Sequence, residues 1–153
     1  MSVTAVRRAL LAALTILCVL PPAGASAAAR NDRTEASIVR SMNKIRAAYH
    51  LPRLRTNAAL ARAADVHSAD MLHSGTLTHG AFSQRVRRYV RKRHIGENLA
   101  WMSRCKAHAI VQMWMNSAGH RAIMLSRGFR RVGVARRAGS GSCFVTADFA
   151  SRR

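Results

Sequence analysis

Three short segments, far apart along the chain, carry residues able to do chemistry together. They are Thr78-His79-Gly80, Gly96-Glu97-Asn98-Leu99-Ala100 and Trp114-Met115-Asn116-Ser117-Ala118-Gly119-His120-Arg121. They offer two imidazoles and one carboxylate, each in a stretch rich in Gly, Ser, Thr or Asn, and read as one site. Two histidines and a carboxylate are a recurrent ligand set for Zn²⁺ or another divalent cation, leaving a fourth position for water. On this expectation His79, Glu97 and His120 are the metal residues, with Glu97 either a ligand or an orienter behind a histidine. The same groups could instead hydrogen-bond to one another and to backbone and hold a cleft shut. Glu97 and His120 also permit metal-free acid–base work. No catalytic residue is assigned; if the chain is an enzyme, these three carry the reaction. Ser117 is too weak an acid to be a general base. A serine hydrolase completed by Asp70 lacks a nucleophile-elbow pattern.

The elements that must position these residues are legible from spacing. Ile38, Met42, Ile45 and Tyr49 recur as one apolar helix face, with Thr34 as its N-cap and Pro52 as its stop. Thr56 caps a second helix running to about Ser74, ended by Gly75. On that helix Leu60, Ala63, Ala64, His67 and Met71 share a face; His67 reads as a hydrogen-bonded core histidine and His73 as a helix-end cation. A short helix from Ser83 to about Tyr89 turns Val86 and Tyr89 inward and Arg85, Arg87 and Arg88 outward. Together with Arg91, Lys92 and Arg93 these make a basic ridge, either a solvated face or an anion-binding surface.

Glu97 to Met102 is extended. A third helix covers Lys106 to Asn116, and Ser117 caps a short fourth. Val132 to Arg137 and Cys143 to Phe149 form a hairpin around the turn Ala138 to Ser142, with Cys143, Val145 and Ala147 alternating against Phe144, Thr146 and Asp148. Helices first and a hairpin last make the class α+β, with helices packed on a small antiparallel sheet.

Composition bounds the setting. Arg7 and Arg8, the apolar run Ala9 to Leu20, Pro21-Pro22 and Ala25-Ser26-Ala27 read as a secretory signal peptide over residues 1–27. Residues 28–37 are then a lead-in and 38–150 the domain. The expected location is secreted or periplasmic, with no transmembrane segment after signal removal and a monomeric state. Beyond the signal segment only Cys105 and Cys143 remain, which in an exported protein suggests one disulfide. Lys plus Arg number 26 against six Asp plus Glu, a net charge of +20. Such a surface attracts phosphates, carboxylated glycans and anionic lipid headgroups. No aromatic-and-arginine motif points to sequence-specific nucleic-acid reading.

Taken in order, Thr78-His79, Gly96-Glu97-Asn98-Leu99-Ala100, Trp114 to Arg121 and Val132-Gly133-Val134 resemble the signatures of the CAP superfamily. That superfamily groups cysteine-rich secretory proteins, antigen 5 and pathogenesis-related 1 proteins, whose domain is also called SCP. The form with Ser117 and Arg121 looks like the bacterial branch. The resemblance implies an α-β-α sandwich with a central cleft, lined by two histidines and two acids that can hold a divalent metal. His79, Glu97 and His120 match three of these; the second acid is expected at Ser117, where a hydroxyl stands instead. The resemblance further implies an exported binding protein for a lipid, a sterol or an anionic envelope component. The alternatives are a metal-dependent hydrolase using the same cleft, or a polycation that coats anionic glycans or lipids.

Overall fold

The structure is a computed structural model that describes residues 23–152, with side chains described from Arg33 onward. Most of the expected signal segment, residues 1–22, lies outside the described residues. The chain forms α1 (Ala23–Ala48), β1 (Arg55–Thr56), α2 (Ala58–Ser74), α3 (Phe82–Tyr89), β2 (Ile95–Met102), α4 (Ala107–Asn116), α5 (Ala118–Leu125), β3 (Phe129–Gly139) and β4 (Ser142–Ser151). The strands make one sheet in the order β1-β3-β4-β2. β4 pairs antiparallel with both β2 and β3, while β1 runs parallel to β3. The sheet is therefore mixed; the expected antiparallel sheet omitted β1, too short to show any alternation.

Strand alternation divides β4 between two faces. Val145, Ala147 and Phe149 join Ile38 and Met42 of α1, Ile110 and Trp114 of α4 and Met124 of α5 in one core. Ala150 lies on the other face with Leu60 and Ala63 of α2 and Val86 of α3. Helices thus cover both faces, an α-β-α sandwich. Full burial of each large apolar side chain contributes about 1.5–3 kcal/mol. Trp114 is also fixed by a hydrogen bond from its indole N–H to the Leu99 carbonyl, 2.7 Å, tying α4 to β2.

α2 approaches β3 through a glycine. A Cβ on Gly133 would lie 2.1 Å from the Ala61 nitrogen and 2.2 Å from the Leu60 carbonyl carbon. Only the absence of a side chain lets the helix backbone sit on the strand, and Gly133 is the register partner of Asp148. Cys105 and Cys143 are joined, closing a sequence separation of 38 residues.

Several local expectations are corrected. α1 is continuous through Thr34, so Thr34 is no N-cap; the Ala-rich stretch before it has high helix propensity. Tyr49, expected on the apolar face, is 44% exposed, whereas Arg46 is fully buried. The α2 cap is Asn57, whose side chain accepts from the Leu60 N–H; Thr56 belongs to β1. Ser117 holds the N-cap position of α5, but its hydroxyl makes no cap bond.

Candidate functional site

β2 is an edge strand, and the site is built around that edge. Glu97 and Leu99 face α2 and α3; Gly96 and Asn98 face α5. A Cβ on Gly96 would lie 2.8 Å from the Phe129 ring. The α2–α3 loop brings His79 to the edge, where its Nδ1–H donates to Glu97 Oε1 at 2.8 Å. From the other face Asn98 Nδ2 donates to the His120 carbonyl, 3.0 Å, which fixes the first turn of α5. His79 and His120 are near enough that the charge of His79 helps depress the His120 pKa, after burial as the main cause.

Residues absent from the sequence expectation complete the site. Asp148 is the direct cross-strand partner of Glu97, so the two carboxyls project side by side from β4 and β2. Asp148 is fully buried and Glu97 nearly so. Arg85 was expected to point outward; it instead turns inward, its side chain 12% exposed. Its Nη2 donates to Glu97 Oε2 and lies 3.6 Å from Asp148 Oδ1. The reason is helical spacing: Arg85 lies one turn after Phe82 and one turn before Tyr89, on their half-buried side. Its guanidinium also stacks 5.9 Å from the Phe82 ring centroid.

His67 is the expected buried histidine, with its Nε2–H donating to the Thr78 carbonyl at 2.7 Å. It holds the loop next to His79, and its Nε2 stands 4.0 Å from Glu97 Oε2. Burial, then the Arg85 charge, push its pKa down, which keeps it neutral. Ser117 makes no hydrogen bond to His120 among the described residues.

The electrostatics follow from burying two carboxyls together. Burial is the main cause that raises Glu97 to about 7, with the Arg85 charge pulling it back. Asp148 rises to about 8, through burial first and then the neighbouring Glu97 charge. Two carboxyls buried side by side resist ionising together, so the pair gives up its protons at higher pH than free carboxyls do, with Arg85 favouring the charged form.

The structure brings His79 onto Glu97 and places His120 in the first turn of α5. Glu97 has both oxygens engaged, one by His79 and one by Arg85, and the guanidinium already supplies a cation there. Among the described residues no group of three or more His, Cys, Asp or Glu is disposed to hold a metal ion. Glu97 holds His79 by Nδ1 at 2.8 Å, the kind of contact by which a carboxylate orients an imidazole. Among the described residues, His120 Nδ1, Asn98 Oδ1 and both Asp148 oxygens are buried without a hydrogen bond.

The site is thus a buried acid pair at one sheet edge, approached by His67 and His79. The profile of the Cysteine-rich secretory protein (CAP) family matches residues 39–149, and the chain belongs to that family. It is similar in structure to an extracellular SCP-domain protein of Bacillus anthracis, at 27% identity and TM-score 0.76, covering 88% of this chain and 45% of that one. It also resembles an outer surface protein of Borrelia burgdorferi, at 19% identity and TM-score 0.73, covering 79% and 94%. A cysteine-rich secretory protein of Staphylococcus aureus matches at 20% identity and TM-score 0.68, covering 80% and 39%. The chain thus spans less than half of the Bacillus and Staphylococcus chains. No curated protein sequence matches. Among the described residues no helix is long and apolar enough to cross a membrane.

Proposed function

We propose that the chain is an exported binding module, secreted or periplasmic, whose histidine-rimmed cleft holds an anionic envelope lipid or a related envelope component. The observation that carries this reading is the engagement of Glu97. Arg85 and His79 occupy both of its oxygens, so Glu97 is not free to act as a base or a metal ligand itself. What the rim offers an occupant is imidazole: the exposed edge of His79 and the part-buried His120 ring, with the Arg85 charge behind them. An acceptor-rich, negatively charged headgroup suits such a rim. The relatives that are extracellular or outer surface proteins support the location. Co-sedimentation with phosphatidylglycerol vesicles, with phosphatidylcholine vesicles as control, tests the reading. Saturable binding that weakens in His79→Ala is expected; equal binding to both vesicle types would refute it.

A second reading is weak Zn²⁺ binding through His79 and His120. It is favoured by the orientation that Glu97 gives His79 and by the unpartnered Nδ1 of His120. Calorimetric titration of Zn²⁺ into the wild type and His79→Ala tests it; identical heats would end it. Peptide or ester turnover that vanishes with chelator and with His120→Ala would favour a metal hydrolase over both.

A further inference from the structure

At the opposite edge of the sheet, about 14 Å away across three strand spacings, lies a second cleft that the histidine site does not use. Its volume is about 670 Å³, and Arg53, Arg55, Arg130, Arg131 and Arg152 line it, with no Asp or Glu in the lining. None of the five meets a carboxylate within an ion pair among the described residues; the arginines so paired there are Arg85 and Arg137. Among the described residues, Arg130 donates to the carbonyls of Arg127 and Phe129.

Two features show that this positive charge is built in. The parallel pairing of β1 with β3 sets Arg55 beside Arg131 in register, so two guanidiniums project from neighbouring positions on one face. Like charges placed so are destabilising unless something neutralises them. Behind the cleft, Arg46 is fully buried without a carboxylate, its guanidinium donating to the carbonyls of Pro52, Met124, Ser126 and Phe129. Burial, then the nearby Arg130 charge, lower its pKa. The cleft wall is rigid as well. The Asn43 amide clasps both backbone groups of Leu54, donating at 3.0 Å and accepting at 2.8 Å. The walls between the charges are aliphatic, with Val39, Pro52 and Leu54 and no aromatic ring.

We infer that this cleft binds the phosphate groups of a polyol- or sugar-phosphate polymer. Paired guanidiniums grip phosphate oxygens by forked, charge-assisted hydrogen bonds. Without aromatic platforms the cleft has nothing on which to stack bases, so a single-stranded nucleic acid is the poorer fit. The inference goes beyond the histidine cleft and holds whether or not that cleft has a ligand; it takes only the exported location from the preceding reading.

The test is calorimetric titration of inorganic tripolyphosphate into the full chain, wild type and variants. Saturable binding is expected in the wild type and in His79→Ala. The pair Arg55→Gln/Arg131→Gln should lose about tenfold or more in affinity, as expected when hydrogen bonds between charged groups are removed. Its thermal midpoint should stay level or rise, because a like-charge pair is gone. Arg53→Gln, outside the strands, should weaken binding too and covers the case in which the double variant folds poorly. Arg91→Gln/Arg93→Gln removes the same charge from the exposed ridge and should keep affinity within about twofold. Equal losses in the two pairs, or no saturable binding, would overturn the inference. A ribitol-phosphate polymer should bind more tightly than single-stranded DNA of equal phosphate number; the reverse order would overturn the choice of polymer in favour of nucleic acid.

Discussion

Replacing Arg85 by Gln removes a guanidinium that faces two buried carboxyls. The side chains of Arg85 and Glu97 are 12% and 1% exposed, so the arithmetic for a buried pair applies. Removing one partner of such a pair costs about 3–5 kcal/mol. The cost should depend on pH. Glu97 and Asp148 are raised from 4.5 and 3.8 to about 7 and about 8. Between the ordinary and the raised values the folded chain therefore binds more protons than the unfolded one, and stability falls as pH rises through that window. Without Arg85 both values climb further, so the decline becomes steeper and extends to higher pH. At pH about 9 the full loss is expected. At pH about 5 both carboxyls are protonated, and the loss should shrink to the ~1 kcal/mol of a hydrogen bond. Urea unfolding of wild type and Arg85→Gln at the two pH values measures this. Adding Glu97→Gln to Arg85→Gln should recover much of the alkaline loss. An equal loss at both pH values, or a larger one at the acid end, would refute the argument.

Asp148→Asn should flatten the wild-type fall in stability above pH about 5 and stabilise the chain at pH about 9, read from the same unfolding curves. Cys105→Ala/Cys143→Ala opens a loop of 38 residues, which should cost about 4 kcal/mol by chain entropy, measured as a drop in the urea midpoint. Gly133→Ala drives a Cβ into the α2 backbone and should cost more than about 3 kcal/mol. Gly119→Ala, with nothing within 4 Å, should be neutral or stabilising by up to about 1 kcal/mol in a thermal scan. Arg46→Met strands four buried or partly buried carbonyls and should lower stability by about 3 kcal/mol or more by the same assay.

The apolar periodicities were readable because each element has one buried stripe: Ile38 and Met42, Leu60 and Ala63, Ile110 and Trp114 are all buried as their spacing requires. Gly75 ends α2 with a left-handed φ of 67°, and the Cys105–Cys143 bridge follows from simple cysteine arithmetic. β1 was illegible because a two-residue strand has no period. Asp148 was placed on the correct face of its strand, opposite Val145 and Ala147, but its partner depends on register, which no local pattern encodes. One signal was available: only six acidic residues exist in the chain, and one of them interrupts an otherwise apolar strand. By type Arg85 reads as outward, as arginine usually is; its one-turn spacing from Phe82 and Tyr89 argues the other way. The burial of Arg46 is illegible for a similar reason, since three of its four carbonyl partners lie far along the chain, from Met124 to Phe129.

Two of the six acids are shut inside the fold beside Arg85, and the chain carries 26 Lys and Arg, so its surface is crowded with positive charge. Copies of this protein should therefore push one another apart in dilute buffer, so that self-association has little to gain from any shared patch. On an anionic matrix the same repulsion would space them as a sparse, even coat instead of letting them clump. Such a coat would be shed by salt and would adsorb again as the salt is diluted.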